Sequence, residues 1–449
     1  MKKLTKLMTC FSISAALVLS ACSVPDYSNS DGTEAGKNSA VSNTDYSSYS
    51  FSAMDVGSDF MRGVDASEVA ALEELGQKWY DSDDTERDLF QILANHGVNW
   101  VRLRIWNDYT VAVSDSWGPY GYNNLNRTLS MAKRAKKAGL EIFLDFHYSD
   151  NWADPSKQYI PEMWKNYVEK DGVAIQSENI DIDGLSKAVA DYTKSVINAL
   201  ASIDCTPKMV QLGNEMQGGI FQYTRTGSVK GCVGKYKEED EEGKSIEKTD
   251  GIETKLSYNQ RCEILLAAKN AVKAIDSNID VALHCSDPGK YLDNFLSGYI
   301  ANVNPDVVAI SYYPYYPGHG TDVQLAGFMQ KIAASGKKAV VAETSFSYNR
   351  DAYTDDTKNI FYTDQEEASA KQLTQYSGKV GSSVPASMEN QAGVVKYIAE
   401  IASKNGGAGI FYWGGCYLGI KSGMPSSWEN QTLFDTKGKV LPTIDVFKK

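Results

Sequence analysis

The chain has 449 residues, of which 57 are acidic and 45 are lysine or arginine, for a formal net charge of −12. That balance argues against nucleic acid and disfavours polyanionic ligands, leaving neutral small molecules or sugars open. Hydrophobic residues make up 42% of the chain, so it can bury a sizeable core.

Residues 1–21 read as an export signal rather than as part of a fold. Lys2, Lys3 and Lys6 form a basic start, and 11–21 is apolar but too short to span a bilayer. The stretch ends Leu19-Ser20-Ala21-Cys22, the pattern of a bacterial lipobox, so Cys22 is expected to carry lipid as the first mature residue. The other reading is an ordinary secretory signal cleaved near the same point. Either way the protein is exported, and a lipid would be its only contact with the membrane or cell surface. Residues 22–50 are rich in Ser, Asn, Asp, Gly and Tyr and nearly free of aliphatics, as expected of a disordered tether.

Residues 51–449 fit one domain carrying a loop insertion at about 227–251. Within the insertion, 235–250 reads KYKEEDEEGKSIEKTD, a solvated loop dispensable for folding, with a flap over a cleft as the functional alternative. Once Cys10 and Cys22 are set aside, Cys205, Cys232, Cys262, Cys285 and Cys416 remain. An odd number cannot all pair, so up to two disulfides are possible but none is counted on, and no C-x-x-C metal spacing occurs.

From residue 60 onward, buried-strand patterns alternate with helical ones. The strand candidates are 60–64, 100–105, 141–146, 209–213, 280–284, 307–311, 339–343 and 409–412. Helical patterns at 86–95, 125–138, 185–201, 258–274 and 391–403 lie between them. Gly97, Gly139, Gly336 and Gly406 stand where helices should stop. Strict alternation predicts a parallel sheet in the α/β class, and eight units predict a closed (β/α)8 barrel.

In such a barrel the site forms at the C-terminal ends of the strands. KMVQLGNEMQGG at 208–219 breaks from an apolar run into Asn214-Glu215, and KAVVAETSF at 338–346 breaks into Glu343. One glutamate after an apolar run is ordinarily a loop residue or a helix cap. Two such strand ends suggest the paired carboxylates of a retaining glycosidase, one protonating the leaving oxygen and one attacking the sugar. The remaining strand ends supply Asp65, Arg102, Arg104, Trp106, Asn107, His147, Tyr148, Asp150, His284, Tyr312, Tyr313 and Trp413. Aromatic rings pack on the apolar faces of sugars, while amides, His and Arg take hydroxyls. There is no phosphate-binding glycine loop, and four histidines without H-E-x-x-H make a metal hydrolase a poor fit.

The motifs FMRGVDAS (60–67), VNWVRLRIWND (98–108), LDFHYSDNWADPSKQ (144–158), VQLGNE (210–215), SYYPYY (311–316), VVAETSF (340–346) and SSWENQTLFDTKGKVLP (426–442) run almost end to end. With them the chain resembles glycoside hydrolase family 53, the arabinogalactan endo-β-1,4-galactanases. HYSDNWADP and SWENQ-LFD are specific to that family, whereas the two glutamate strand ends mark only its clan. The resemblance implies Glu215 as acid/base and Glu343 as nucleophile, with β-1,4-galactan as substrate and retention of configuration. Arg102 or Arg104 would keep Glu343 charged, Asn214 would bond the sugar 2-hydroxyl, and Tyr312 or Tyr313 would donate to the nucleophile. Trp413 would floor the cleaved sugar's subsite, and His147, Asp150 and Trp152 join Asp65, Trp106 and His284 as sugar-binding candidates.

Two motifs depart from the family. Trp413 is followed by Gly-Gly-Cys rather than Glu-Pro, and Ile220-Phe221-Gln222 stands where Leu-Trp-Pro is common. Both changes bear on distal subsites. No cofactor is required by this reading. A structural calcium at Asp351, Asp355 and Asp356, as in some bacterial relatives, competes with a plain solvated acidic turn. A monomer is expected. A mannanase or xylanase on the same barrel, a non-catalytic surface glycan-binding lipoprotein, and a purely structural lipoprotein are the competing functions.

Overall fold

A computed structural model describes residues 46, 48–107, 123–225, 235–239, 245–249, 251–289, 292–349, 372–376, 383–418 and 428–449. Eight strands close into a barrel: β1 Met61–Asp65, β2 Trp100–Ile105, β3 Glu141–Phe146, β4 Met209–Leu212, β5 Asp280–Cys285, β6 Val307–Ser311, β7 Lys338–Thr344 and β8 Gly407–Tyr412. All neighbours pair in parallel, and β8 closes on β1 with Met61 opposite Gly409. These are the eight strands read from the sequence.

Helices α1 Leu89–Asn95, α2 Leu125–Lys137, α3 Ile182–Ala201, α4 Tyr258–Ile275, α5 Asp322–Ala334 and α6 Met388–Lys404 connect them. After β5 a short helical run with a π turn at Leu296–Ile300 takes the same place. Side-chain oxygens start the helices. Asn124, Asp181 and Ser387 cap α2, α3 and α6, and Ser257 and Thr321 form reciprocal capping boxes with Gln260 and Gln324. The Asp88 cap, accepting from the Phe90 N–H, makes α1 begin at Leu89, later than its apolar pattern suggests. The four stop glycines all adopt positive φ, between 75° and 88°. Among the described residues, no helix is long and apolar enough to cross a membrane.

The barrel interior has two zones. Its lower part is an apolar plug including Met61, Phe143, Met209 and Phe411, each contributing about 1.5–3 kcal/mol by burial. Gly63 makes room for it, since a Cβ there would sit 2.0 Å from Phe411 Cδ1. Above the plug the inward side chains turn polar: Arg102, Asp145, Gln211, His284 and Ser311 are all completely buried. The β6–β7 register slips at this level. Ile310 pairs with Val341, but Ser311 pairs with Glu343, so Ala342 is bulged. Period-two alternation would have sent Glu343 outward with Val341; the slip turns it into the barrel.

One expectation about the insertion needs correction. Part of the insertion at 235–250 is not an irregular loop: Lys235–Glu239 and Ser245–Thr249 pair as an antiparallel ribbon. The register sets Lys237 opposite Glu247 and Tyr236 opposite Lys248. Cys205, Cys262, Cys285 and Cys416 are buried free thiols, so no disulfide forms among the described residues. The signal, the tether up to residue 45 with Cys22, Cys232 and the Asp351, Asp355, Asp356 cluster lie outside the described residues; at the tether's end Tyr46 and Tyr49 pack against the cluster of Tyr348, Met388 and Leu441 rather than staying disordered.

Candidate active site

The exit from β4 is a turn of two left-handed residues, Gly213 at φ 83° and Glu215 at φ 45°. A positive φ outside glycine costs about 1–3 kcal/mol and needs its surroundings to hold it. They do. Gly213 N–H donates to the Phe146 carbonyl at 2.9 Å, and Met216 N–H donates to the His284 carbonyl at 2.9 Å. Asn214, between them, gives its amide N–H to the Ala153 carbonyl at 2.8 Å and accepts at Oδ1 from Arg102 Nη2 at 2.9 Å. Glu215 is only 9% exposed.

Arg102 is the hub. It is fully buried, yet its guanidinium reaches three carboxylates: Glu343 Oε1 at 2.8 Å, Asp145 Oδ2 at 2.8 Å and Asp65 Oδ2 at 3.2 Å. The amide oxygen of Gln211, at 3.2 Å from Nη2, completes the shell. The other Glu343 oxygen accepts from the Tyr313 hydroxyl at 2.8 Å.

The two glutamates are therefore treated differently. Burial pushes the Glu215 carboxyl well above the usual range, and the nearby Glu343 charge pushes it further. Burial also raises Glu343, but there the Arg102 guanidinium and the Tyr313 hydroxyl pull the other way. A proton shared by the pair accordingly rests on Glu215.

Aromatic rings wall the opening. Trp152 faces Trp413 with centroids 6.2 Å apart and meets Trp106 edge-on at 5.6 Å. The Arg104 guanidinium, paired with Glu68, lies over the Trp152 ring at 4.0 Å. Tyr417 stacks on Trp413 at 6.0 Å, and Trp428 meets its edge at 4.8 Å.

Most of the residues expected at the site converge there, though not all could touch a sugar. Between the arginines, Arg102 rather than Arg104 is the one on Glu343; Arg104 supports Trp152. Tyr313 bonds Glu343, whereas Tyr312 is fully buried in the shell that packs against the helices. The alternation Ser311 in, Tyr312 out, Tyr313 in decides between them. Asp65 is consumed by Arg102 and by the Ser67 hydroxyl at 2.6 Å. His284 is fully buried beneath Asn214 and Glu215. Asp150 accepts from the Glu162 N–H at 2.8 Å, starting the 3-10 turn Glu162–Tyr167. His147 accepts at Nδ1 from the Ala153 N–H at 3.0 Å, and burial lowers its pKa, so it is neutral. Among the described residues no cluster of three His, Cys, Asp or Glu could hold a metal.

Sequence reading missed Asp145, Gln211 and Ser311. The signal was there: each is a lone polar residue inside a run otherwise reading as a buried strand. It also missed why 426–442 is so specific a motif. Gln431 accepts the Tyr315 hydroxyl at 2.9 Å, and its carbonyl accepts the Tyr412 hydroxyl at 2.6 Å. Asn430 donates to the Asn349 carbonyl at 3.1 Å. The motif thus clamps the segment after β7 to the end of β8.

Comparison with known proteins agrees with this geometry. The family model described as Glycosyl hydrolase family 53 matches residues 61–447, from the start of β1 to the last turn. The chain is similar to an endo-beta-1,4-galactanase of Bacillus subtilis (strain 168), 28% identical over 432 residues that cover 87% of this chain and 86% of that one. It is likewise 28% identical over 396 residues to an arabinogalactan endo-beta-1,4-galactanase of Thermothelomyces thermophilus, covering 86% and 98%. Among solved structures it resembles the Ignisphaera aggregans GH53 catalytic domain, with a TM-score of 0.70, 32% identity, and coverage of 89% and 98%. The chain belongs to glycosyl hydrolase family 53.

Proposed function

We propose that the enzyme hydrolyses internal β-1,4-galactosidic bonds of galactan with retention, using Glu343 as nucleophile and Glu215 as acid/base. The observation that carries the assignment of roles is the asymmetry around Arg102. The guanidinium and the Tyr313 hydroxyl each hold one oxygen of Glu343, while Glu215 has neither. The ionised carboxylate attacks the anomeric carbon as the neutral one protonates the departing oxygen. Ester formation then removes the Glu343 charge that had helped raise Glu215. Glu215 thereby becomes able to lose its proton and to act as base toward water in the second step. Asn214, fixed on three sides, is the residue placed for the 2-hydroxyl, and Trp152 with Trp413 frames the ring. The choice of galactan over mannan or xylan is supported by the names of the relatives and by family membership. The paired carboxylates disfavour a purely glycan-binding role.

A panel of galactan, mannan and xylan tests the substrate, and proton NMR of the first-formed anomer tests the mechanism. Expected are reducing ends from galactan alone and an initial β-anomer. An α-anomer first, or faster release from mannan or xylan, would sink the proposal.

We also infer that Cys22 anchors the enzyme to a bacterial membrane through lipid, on the strength of Leu19-Ser20-Ala21-Cys22. Labelled fatty acid should enter the wild-type protein and not Cys22→Ser, which should be released to the medium. Equal labelling of both would refute the anchor.

A further inference from the structure

Arg102 is one cation set among three buried carboxylates, and only one of the three has to react. Glu343 and Asp145 each lie 2.8 Å from the guanidinium, and Asp65 lies 3.2 Å from it. Arg102 and Asp145 are completely buried, Asp65 is 1% exposed and Glu343 5%, so water screens little of this charge. The other arginine of β2, Arg104, is taken up by Glu68. The cluster therefore carries more negative charge than Arg102 can neutralise.

Both aspartates are anions, because the groups set against them donate. Asp145 Oδ1 accepts from the Gln211 amide at 2.7 Å. Its Oδ2 faces the Arg102 guanidinium and, at 3.3 Å, His147 Nε2. His147 Nδ1 accepts the Ala153 N–H, so the ring proton sits on Nε2 and faces the carboxylate. Asp65 Oδ1 takes the hydroxyl and the N–H of Ser67, at 2.6 and 3.0 Å, while its Oδ2 faces Arg102. A protonated acid would set its own hydrogen against one of these donors.

We propose that Asp145 and Asp65 are positioning residues for the nucleophile, sharing Arg102 with Glu343 so that the guanidinium orients its carboxylate without quenching it. A carboxylate with a guanidinium to itself would be a weak base and a poor nucleophile. Two further anions on the same cation push the other way. Burial raises the Glu343 carboxyl, Arg102 and the Tyr313 hydroxyl oppose the rise, and Asp145 and Asp65 add to it. The sharing also serves the second half of the reaction. Once Glu343 is an ester it has no charge to offer, and Asp145 and Asp65 keep Arg102 from being left buried and unpaired. The Arg102 bonds to Asn214 and Gln211 are kept in place with it. Neither aspartate is open to substrate. The proposal rests on Glu343 being the nucleophile.

The sign of one shift separates sharing from mere support. The charged and titratable groups facing Glu343 are Arg102 on β2, Tyr313 after β6, Asp145 on β3, Asp65 on β1 and Glu215 after β4. Those facing Asp145 are Arg102, His147 after β3 and His284 on β5. Neutralising an aspartate leaves Glu343 a larger part of the Arg102 charge. The acid limb of kcat/KM on galactan should then move to lower pH, by about one pH unit in Asp145→Asn and in the same direction in Asp65→Asn. A role confined to holding Arg102 in place predicts the reverse. A loosened guanidinium would leave Glu343 more easily protonated, and the limb would move up. An upward shift in either variant, or no shift in both, overturns the sharing. If one variant fails to fold, as read by its melting curve, the sign of the other alone decides. Failure of the underlying assignment would look different: Glu343→Gln would keep its acid limb and its turnover.

Discussion

Glutamine at position 343 should leave turnover on galactan at or below about a hundredth of wild type, and glutamine at 215 should do the same, because each role needs a carboxyl group. The two losses should part on an aryl galactobioside with an activated leaving group. Such a leaving group departs without a proton, so Glu215→Gln should still form the glycosyl-enzyme and then stall, giving a burst of phenol. Glu343→Gln has no nucleophile and should give no burst. Removing either side chain to alanine opens space for azide, which should return a β-galactosyl azide from Glu215→Ala and an α-galactosyl azide from Glu343→Ala. The pH profile carries the same information. Both carboxyls are raised by burial, but the Arg102 guanidinium and Tyr313 hydroxyl hold Glu343 back, so it sets the acid limb and Glu215 the alkaline limb. With the activated substrate, Glu215→Gln should lose the alkaline limb and keep the acid one. A burst from Glu343→Gln, or more than about a tenth of wild-type kcat in either variant, would be incompatible with these roles.

The barrel was legible because parallel strands covered on both faces are written as short apolar runs, such as Met209–Leu212 and Val307–Ser311, separated by capped helices. The two glutamates were legible because they interrupt such runs at their ends. What could not be read is anything that depends on which way a buried strand faces. Both faces of a barrel strand are apolar over most of its length, so Asp145 and Gln211 stand out as polar in their runs without showing which face they occupy. Glu343 is the sharpest case. Alternation from Val341 sends it to the helices, and only the register slip beside Ser311 brings it into the cleft. The same limit left Tyr312 and Tyr313 undecided, and made Asp65 and His284 look like sugar ligands when they are the supports of Arg102 and of the Asn214–Glu215 turn. The ribbon of 235–239 and 245–249 was hidden for another reason: a dense charge run reads as coil when one strand is seen at a time, and only the pairing register shows the two as strands.

Arg102 is where fold and chemistry share one side chain, and its removal should show in both. Its guanidinium is ion-paired with Asp65, Asp145 and Glu343, all three of them buried. Breaking a buried ion pair by deleting one partner typically costs about 3–5 kcal/mol, so Arg102→Met should be destabilised on that scale at neutral pH and catalytically dead. The pH dependence fixes the cause. In the wild type, burial would raise Asp145, but the Arg102 charge with the neighbouring His147 holds it below its ordinary value. Its anion therefore adds stability above about pH 4 that is lost as the pH falls through the lower folded pKa. With methionine at 102 burial is opposed only by His147 at Asp145 and by the Tyr313 hydroxyl at Glu343, so both carboxyls shift toward the protonated form in the folded state. The deficit of the variant against wild type should then be largest at neutral and higher pH and shrink toward about pH 4. Urea unfolding of both proteins across that range measures it. Adding Asp145→Asn to Arg102→Met removes one stranded charge and should recover part of the stability with none of the turnover. A deficit that grows as the pH falls, or a double variant no more stable than the single one, would mean that Arg102 holds the barrel mouth by packing rather than by neutralising the carboxylates around it.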